Sequence, residues 1–181
     1  MALNEALSVR PGDEPTTLLL CDAYMLAGAL EEAVELIKPL IAARDGKASP
    51  SLAALHMRLA RVCGLAGDRK GELAGLSAAL NADKKNGELA AEVARRAEEA
   101  EDDDLALKAL RLIVAHNPSG PLSVPAAFLA QARIAARRGE TDRAIMFARR
   151  AFHDAPAGDA VQIDAREFLK AHDPGASRTR K

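Results

Sequence analysis

Tryptophan is absent from this 181-residue chain, and aromatic residues reach only 3%. A core with so little aromatic volume has to be built from Ala, Leu, Val and Ile, which suits helices that approach one another closely. Cysteine is nearly absent too. Cys21 and Cys63 make neither a disulfide framework nor a metal-ligand spacing, and His56, His116, His153 and His172 share no short spacing with them or with one another. Neither sign of charge is in excess. Twenty-five Lys and Arg face 26 Asp and Glu, for a net charge of -1, so nothing global draws the chain onto nucleic acid or anionic lipid. No run approaches the roughly 20 apolar residues of a membrane span. The first residues lack the basic and apolar regions of a signal peptide, and the expected compartment is the cytoplasm. No stretch alternates β-branched with polar residues as a strand would.

Chemical motifs are missing in the same way. The stretch GDRKGE has glycine and lysine without phosphate-loop spacing. Asp102 to Asp104 lack the alternating oxygen ligands of a calcium loop and suit a helix start instead. No nucleophile stands beside a base. No catalytic residue, cofactor or metal ligand is assigned, and the chain is expected not to be an enzyme.

What is present is an apolar content of 49% and a repeated pattern. From Gly139 to Pro156 a turn glycine is followed by a polar cap at Thr141–Asp142. A helix with Ala144 and Ala151 follows, and Pro156 closes it. Upstream, Pro125 opens a first helix with Ala132 on its inner side. Such a helix–turn–helix unit of about 34 residues matches the period of a known repeat class. Laid along the chain, the interhelical turn falls at Gly28, Gly67, Glu101 and Gly139, in steps of 39, 34 and 38 residues. Cys21, Ala60, Ala94 and Ala132 keep step in the first helices, and Ala33, Glu72, Ala106 and Ala144 in the second. The extra residues fall in the Gly/Pro/Ser-rich loops RDGKASP and SGPLSV, where insertions belong.

The expected organisation is a helical stub over residues 1–12 and four units over 13–48, 49–86, 87–120 and 121–158. A capping helix over 159–172 and a basic disordered tail over 173–181 complete it. Asp13 with Pro15 and Ser49 with Pro50 read as caps with first-turn prolines, and Asp103 or Asp104 as the cap of a later helix. Pro39 predicts a kink. Pro118 closes the third unit. Val161, Phe168 and Leu169 are the apolar positions of the capping helix. The stub predicts continuation into a longer array.

The chain resembles tetratricopeptide repeats from about Glu14 to Lys170, on Tyr24, Gly28 and Ala33 in the first unit and on Ala132, Gly139, Ala144, Ala151 and Pro156 in the fourth. It departs from the pattern at Glu72, where a small residue is usual, at Cys63, Ala97 and Ala135 in place of an aromatic, and at Lys84 in place of the closing proline. The resemblance implies an all-α solenoid of four repeats, with first helices lining a concave groove and second helices forming the back. It also implies binding of proteins or peptides rather than catalysis.

One place after the small residue, the first helices carry Asp22, Arg61, Arg95 and Arg133. By the resemblance this place faces the groove. Arg58 and Arg137 lie on the same side, with Met57 and Leu129 as apolar contacts between them. An arginine ladder of this kind suits carboxylates, because guanidinium offers paired planar donors. The competing reading leaves the arginines solvated and partly neutralised by Glu88, Glu92, Glu98 and Glu99. The lysines and asparagines of the chaperone-binding members have no counterpart, since Leu18 and Asp22 stand there. The leading reading is therefore an interaction scaffold that takes an acidic or amphipathic segment of a partner. A second rests on similarity to the Ala- and Arg-rich arrays of myxobacterial motility and polarity adaptors, with a Ras-like small GTPase or the pilus machinery as partner. RNA binding is disfavoured by the charge balance and the lack of stacking aromatics.

Overall fold

The computed structural model describes residues 13–44, 46–116 and 120–173. Among them are nine α-helices and no strand: α1 (Glu14–Ala27), α2 (Leu30–Ala42), α3 (Pro50–Leu65), α4 (Arg69–Ala82), α5 (Gly87–Glu99), α6 (Asp103–His116), α7 (Val124–Arg137), α8 (Thr141–Asp154) and α9 (Ala160–His172). The expected stub, Pro118 and residues 174–181 of the expected tail lie outside the described residues, whereas Asp173, expected to open the disordered tail, is buried and paired with Arg149.

Short polar side chains start the helices. Asp13 accepts the Thr16 N–H at 3.0 Å, Ser49 that of Leu52 at 3.1 Å and Ser123 that of Ala126 at 3.3 Å. In all three helices a proline occupies the first turn, where its missing N–H leaves nothing unpaired. Two expected caps are corrected. Asp102, not Asp103 or Asp104, caps α6 by accepting the Leu105 N–H at 3.0 Å. Asp103 and Asp104 already belong to the first turn, where negative charge meets the positive helix end. At α8 the cap residue is Glu140 rather than Thr141–Asp142. It makes no side-chain capping bond, because its carboxylate is taken by Arg143 at 2.5 Å. Pro39 sits within a continuous α2.

The four turns close by one mechanism. Gly28, Gly67, Glu101 and Gly139 are left-handed, with φ of 76°, 74°, 57° and 73°. In each turn the next residue donates its N–H back past the turn: Ala29 to Tyr24, Asp68 to Cys63, Asp102 to Ala97 and Glu140 to Ala135, all at 2.9 Å. This bond satisfies a carbonyl that the helix end would leave orphaned. Glu101 adopts the conformation without glycine's freedom, which costs about 1–2 kcal/mol.

The chain divides after Asp83 into two units. In the first, α1 pairs with α2, and α3 with α4. Its core includes Cys21, Ala33, Ile37 and Val62, all fully buried. Glu72 departs from the small-residue pattern and is nonetheless buried. Two features admit it. Arg69 Nη1 donates to its Oε2 at 2.9 Å, and Gly64 on α3 leaves the space, since a Cβ there would lie 3.1 Å from the carboxylate. The tight approach of α3 and α4 comes instead at Gly75, where a Cβ would meet that of Ala60 at 2.9 Å.

In the second unit α5 pairs with α6, and α7 with α8. Ala106 and Ala144 are fully buried. The last helix, α9, packs on α8 and on the edge of α7, with Ala165 buried against Leu129 and Ala151. Val161 and Phe168 cover that cluster, and Leu169 is half-buried. Arg166, Glu167 and Lys170 turn outward, so α9 presents a largely polar outer face.

Candidate functional site

The two units treat the expected first-helix residues differently. In the first unit Arg58 bridges to α1, with Nη2 2.9 Å from Asp22 Oδ2 and Nε 3.2 Å from Oδ1. The Arg58 bond holds the Asp22 carboxyl below its ordinary range. Met57 is half-buried beside it. Arg61 is exposed and makes no hydrogen bond or ion pair among the described residues.

In the second unit the arginines are held. Arg95 donates to Glu92 at 2.8 Å and to Glu99 at 2.5 Å on its own helix, and both carboxylates raise its pKa. Glu92 also receives Arg96 at 2.7 Å, and these arginines keep its carboxyl low. Arg133 reaches Asp164 of α9 at 3.2 Å. Arg137 reaches Asp103 of α6 at 2.6 Å and depresses the Asp103 carboxyl, with Arg138 adding to the effect. The ladder of open donors expected from the sequence is thus largely closed by the chain's own carboxylates. Of the five arginines, only Arg61 stays free of such a pair among the described residues. Glu92 and Glu99 do neutralise as the competing reading expected. Asp164 and Asp103 add to them from neighbouring helices.

Between α5, α7 and α9 the Arg95–Glu92 and Arg133–Asp164 pairs rim a cleft of about 500 Å³, lined below by Ala91, Ala94, Ala126, Ala130 and Val161. Loss of water at the cleft raises the Glu98 carboxyl against the pull of Arg137 and Arg133. Leu129, expected as a groove contact between the arginines, lines the cleft but is 3% exposed and packs against Ala151 and Ala165, so it meets the cleft as part of the core. The reason is α9, whose Ala165 lies against it.

A larger cleft, about 930 Å³, lies on α8. There Phe128 and Phe147 stack at 6.3 Å, with Arg150 and Arg143 each 5.9 Å from a ring centre. Arg149 and Arg150 are tied to Asp173 and Asp154, both at 2.6 Å. The periodicity of the sequence gives no signal for this aromatic pair, which is brought together from α7 and α8. Thiol chemistry finds no support. Cys21 is fully buried and Cys63 is half-buried; burial raises both thiols, which disfavours the reactive thiolate. No described group of three His, Cys, Asp or Glu side chains could hold a metal ion. No described helix is long and apolar enough to cross a membrane.

The helix hairpins with left-handed turns have close counterparts among solved structures. A putative kinesin light chain of Podosopora anserina, built of nearly identical TPR-like repeats, superposes with a TM-score of 0.53 at 18% identity over 91% of this chain and 87% of its own. This chain has the tetratricopeptide-repeat fold. The structure of MamA is similar as well, with a TM-score of 0.57 at 15% identity over 94% of this chain and 86% of that one. No protein-family model matches the sequence, and neither does any curated protein. At these identities the tetratricopeptide-repeat likeness is one of fold.

Proposed function

We propose that the chain is a protein-interaction scaffold whose first-helix faces bind a segment of a partner protein. The observation that carries this is the cleft between α5, α7 and α9, with its alanine floor and a rim of paired charges. Small side chains on the floor let a partner backbone or an apolar side chain approach closely. The rim pairs are at least half exposed on the arginine side, where such pairs hold about 1 kcal/mol or less. A partner carboxylate can therefore displace Glu92, Glu99 or Asp164 at small cost and take over the guanidinium. Amphipathic segments with acidic residues fit this surface better than strongly basic ones. A nucleic-acid strand fits poorly, because the rim alternates in sign and its carboxylates would meet phosphates.

A photo-crosslinking amino acid placed singly at Ala130 on the cleft floor, at Met57 in the first unit and at Met146 on α8 tests this in extracts of the source organism. The expected result is a protein captured through Ala130 or Met57 and not through Met146. Capture through Met146 alone, or of RNA in place of protein, overturns the reading.

A further inference from the structure

Carried along the chain by the turn-to-turn steps, one stripe can be followed through all four first helices. It reads Leu19, Asp22 and Leu26 on α1, and Arg58, Arg61 and Leu65 on α3. It continues as Glu92, Arg95 and Glu99 on α5, and Ala130, Arg133 and Arg137 on α7. Each triplet has the spacing i, i+3, i+7 and occupies one helix face. The α1 and α3 triplets lie side by side, because Arg58 grips Asp22 across them.

The two helix faces that this ion pair links also carry exposed apolar side chains. Leu26 is 88% exposed, Leu19 58% and Leu65 57%, and these are three of the five large apolar side chains that stand exposed among the described residues. Leu26 and Leu65 occupy the same repeat position in the last turns of α1 and α3, where α5 and α7 carry Glu99 and Arg137. Apolar side chains gathered on one face, rather than scattered, mark an interaction surface. The charge of the face adds a direction. Asp22 bonds only to Arg58 while feeling the charge of Arg61 as well, so two guanidinium groups share one carboxylate and the exposed Arg61 makes no hydrogen bond or ion pair of its own among the described residues.

We propose that this face of the first unit docks an amphipathic segment of another protein, whose aliphatic side chains cover Leu26, Leu65 and Leu19 and whose carboxylate pairs with Arg61. The proposal rests on the scaffold reading above and names which unit anchors the partner and by what chemistry. An aliphatic cover withdraws the leucines from water, and the same cover shields the Arg61 pair, so each contact strengthens the other.

The test is selection of a displayed library of random helical peptides on the full chain, followed by titration of the enriched peptides. They are expected to carry spaced leucine or isoleucine with Glu or Asp. Leu26→Lys with Leu65→Lys should weaken them at least tenfold, and Arg61→Ala about fivefold. Arg61→Glu should select peptides bearing Lys in place of the acid. Leu26→Ala serves as the milder variant, and circular dichroism checks that each remains helical. Enriched peptides that ignore the Leu26 and Leu65 variants but lose binding to Ala130→Arg overturn this proposal and leave the scaffold reading standing. Peptides that ignore both sets, or no enrichment at all, overturn both. Sedimentation supplies the remaining alternative: a dimer of the parent chain that Leu26→Lys with Leu65→Lys dissolves would replace the partner with a second copy and overturn the proposal.

Discussion

The two units place the same turn-to-turn stripe on their first helices and fill it with opposite chemistry. In the first unit the stripe ends in exposed leucines, and one arginine has no pair among the described residues. In the second it ends in Glu99 and Arg137, and every arginine on it is bound within the unit. A repeat fold specifies where a side chain stands but not whether its charge is available. Availability depends on which neighbouring helix brings a carboxylate within reach, and α6 and α9 supply Asp103 and Asp164 only to the second unit.

The small-residue position gives the largest expected effect. Glu72 fits in the first unit because Gly64 faces it. The residues one repeat step on from Gly64 are Glu98 and Ala136, which leave no such space. Ala106→Glu or Ala144→Glu should therefore cost the second unit about 3 kcal/mol or more, from overpacking and an unpaired buried charge. Chemical denaturation would show this, and an unchanged midpoint would place these alanines away from the helix contact. The converse belongs to the first unit. Gly64→Ala should cost about 1–3 kcal/mol by pushing Glu72 off Arg69. Adding Glu72→Ala should recover part of that loss, and a double-mutant cycle with no coupling would refute the pairing of Gly64 with Glu72.

The turns sharpen the comparison at about 1 kcal/mol. Gly67 in the first unit and Glu101 in the second share the left-handed conformation, and nothing lies within 4 Å of a Cβ built at Gly67. Gly67→Ala should therefore destabilise by about 1 kcal/mol through backbone conformation alone, while Glu101→Gly should stabilise by a similar amount. Thermal melts read both signs, and a destabilising Glu101→Gly would mean that the Glu101 side chain makes a contact the turn depends on.

The smallest effect is in acid. Arg58 and Arg137 hold the carboxyls of Asp22 and Asp103 below the ordinary 3.8. Each pair's contribution is complete above that value and lost as pH falls through the depressed folded value. Both are partly exposed, so each is worth about 1 kcal/mol or less. Asp22→Asn and Asp103→Asn should each flatten the acid limb of the stability profile. A limb as steep as the parent's in both variants would assign acid sensitivity to other carboxylates.

Much of the fold was legible because turns and caps are local. The positions Gly28, Gly67, Glu101 and Gly139 came from laying one repeat unit along the chain, and all four prove left-handed, including Glu101, which no glycine signal marks. The cap at Asp102 was missed by one residue because three consecutive aspartates offer equivalent carboxylates, and only helix geometry chooses among them. The site was less legible. The arginine positions followed from the period, but their partners did not. Asp164 lies 31 residues from Arg133 and Asp103 34 residues from Arg137, and no periodic rule links such pairs.

By itself the sequence determined the all-helical class, the helix pairing, the turn positions and the faces on which the arginines stand. Each of these depends on interactions within a few residues: capping bonds, left-handed turns and the 3.6-residue periodicity. Tertiary structure alone decided that Leu129 is core, that Glu72 lies against Gly64, that Leu26 and Leu65 are exposed and that Arg61 makes no ion pair among the described residues. Those outcomes depend on which helix lies against which, and a repeat position fixes where a side chain stands without fixing its neighbours.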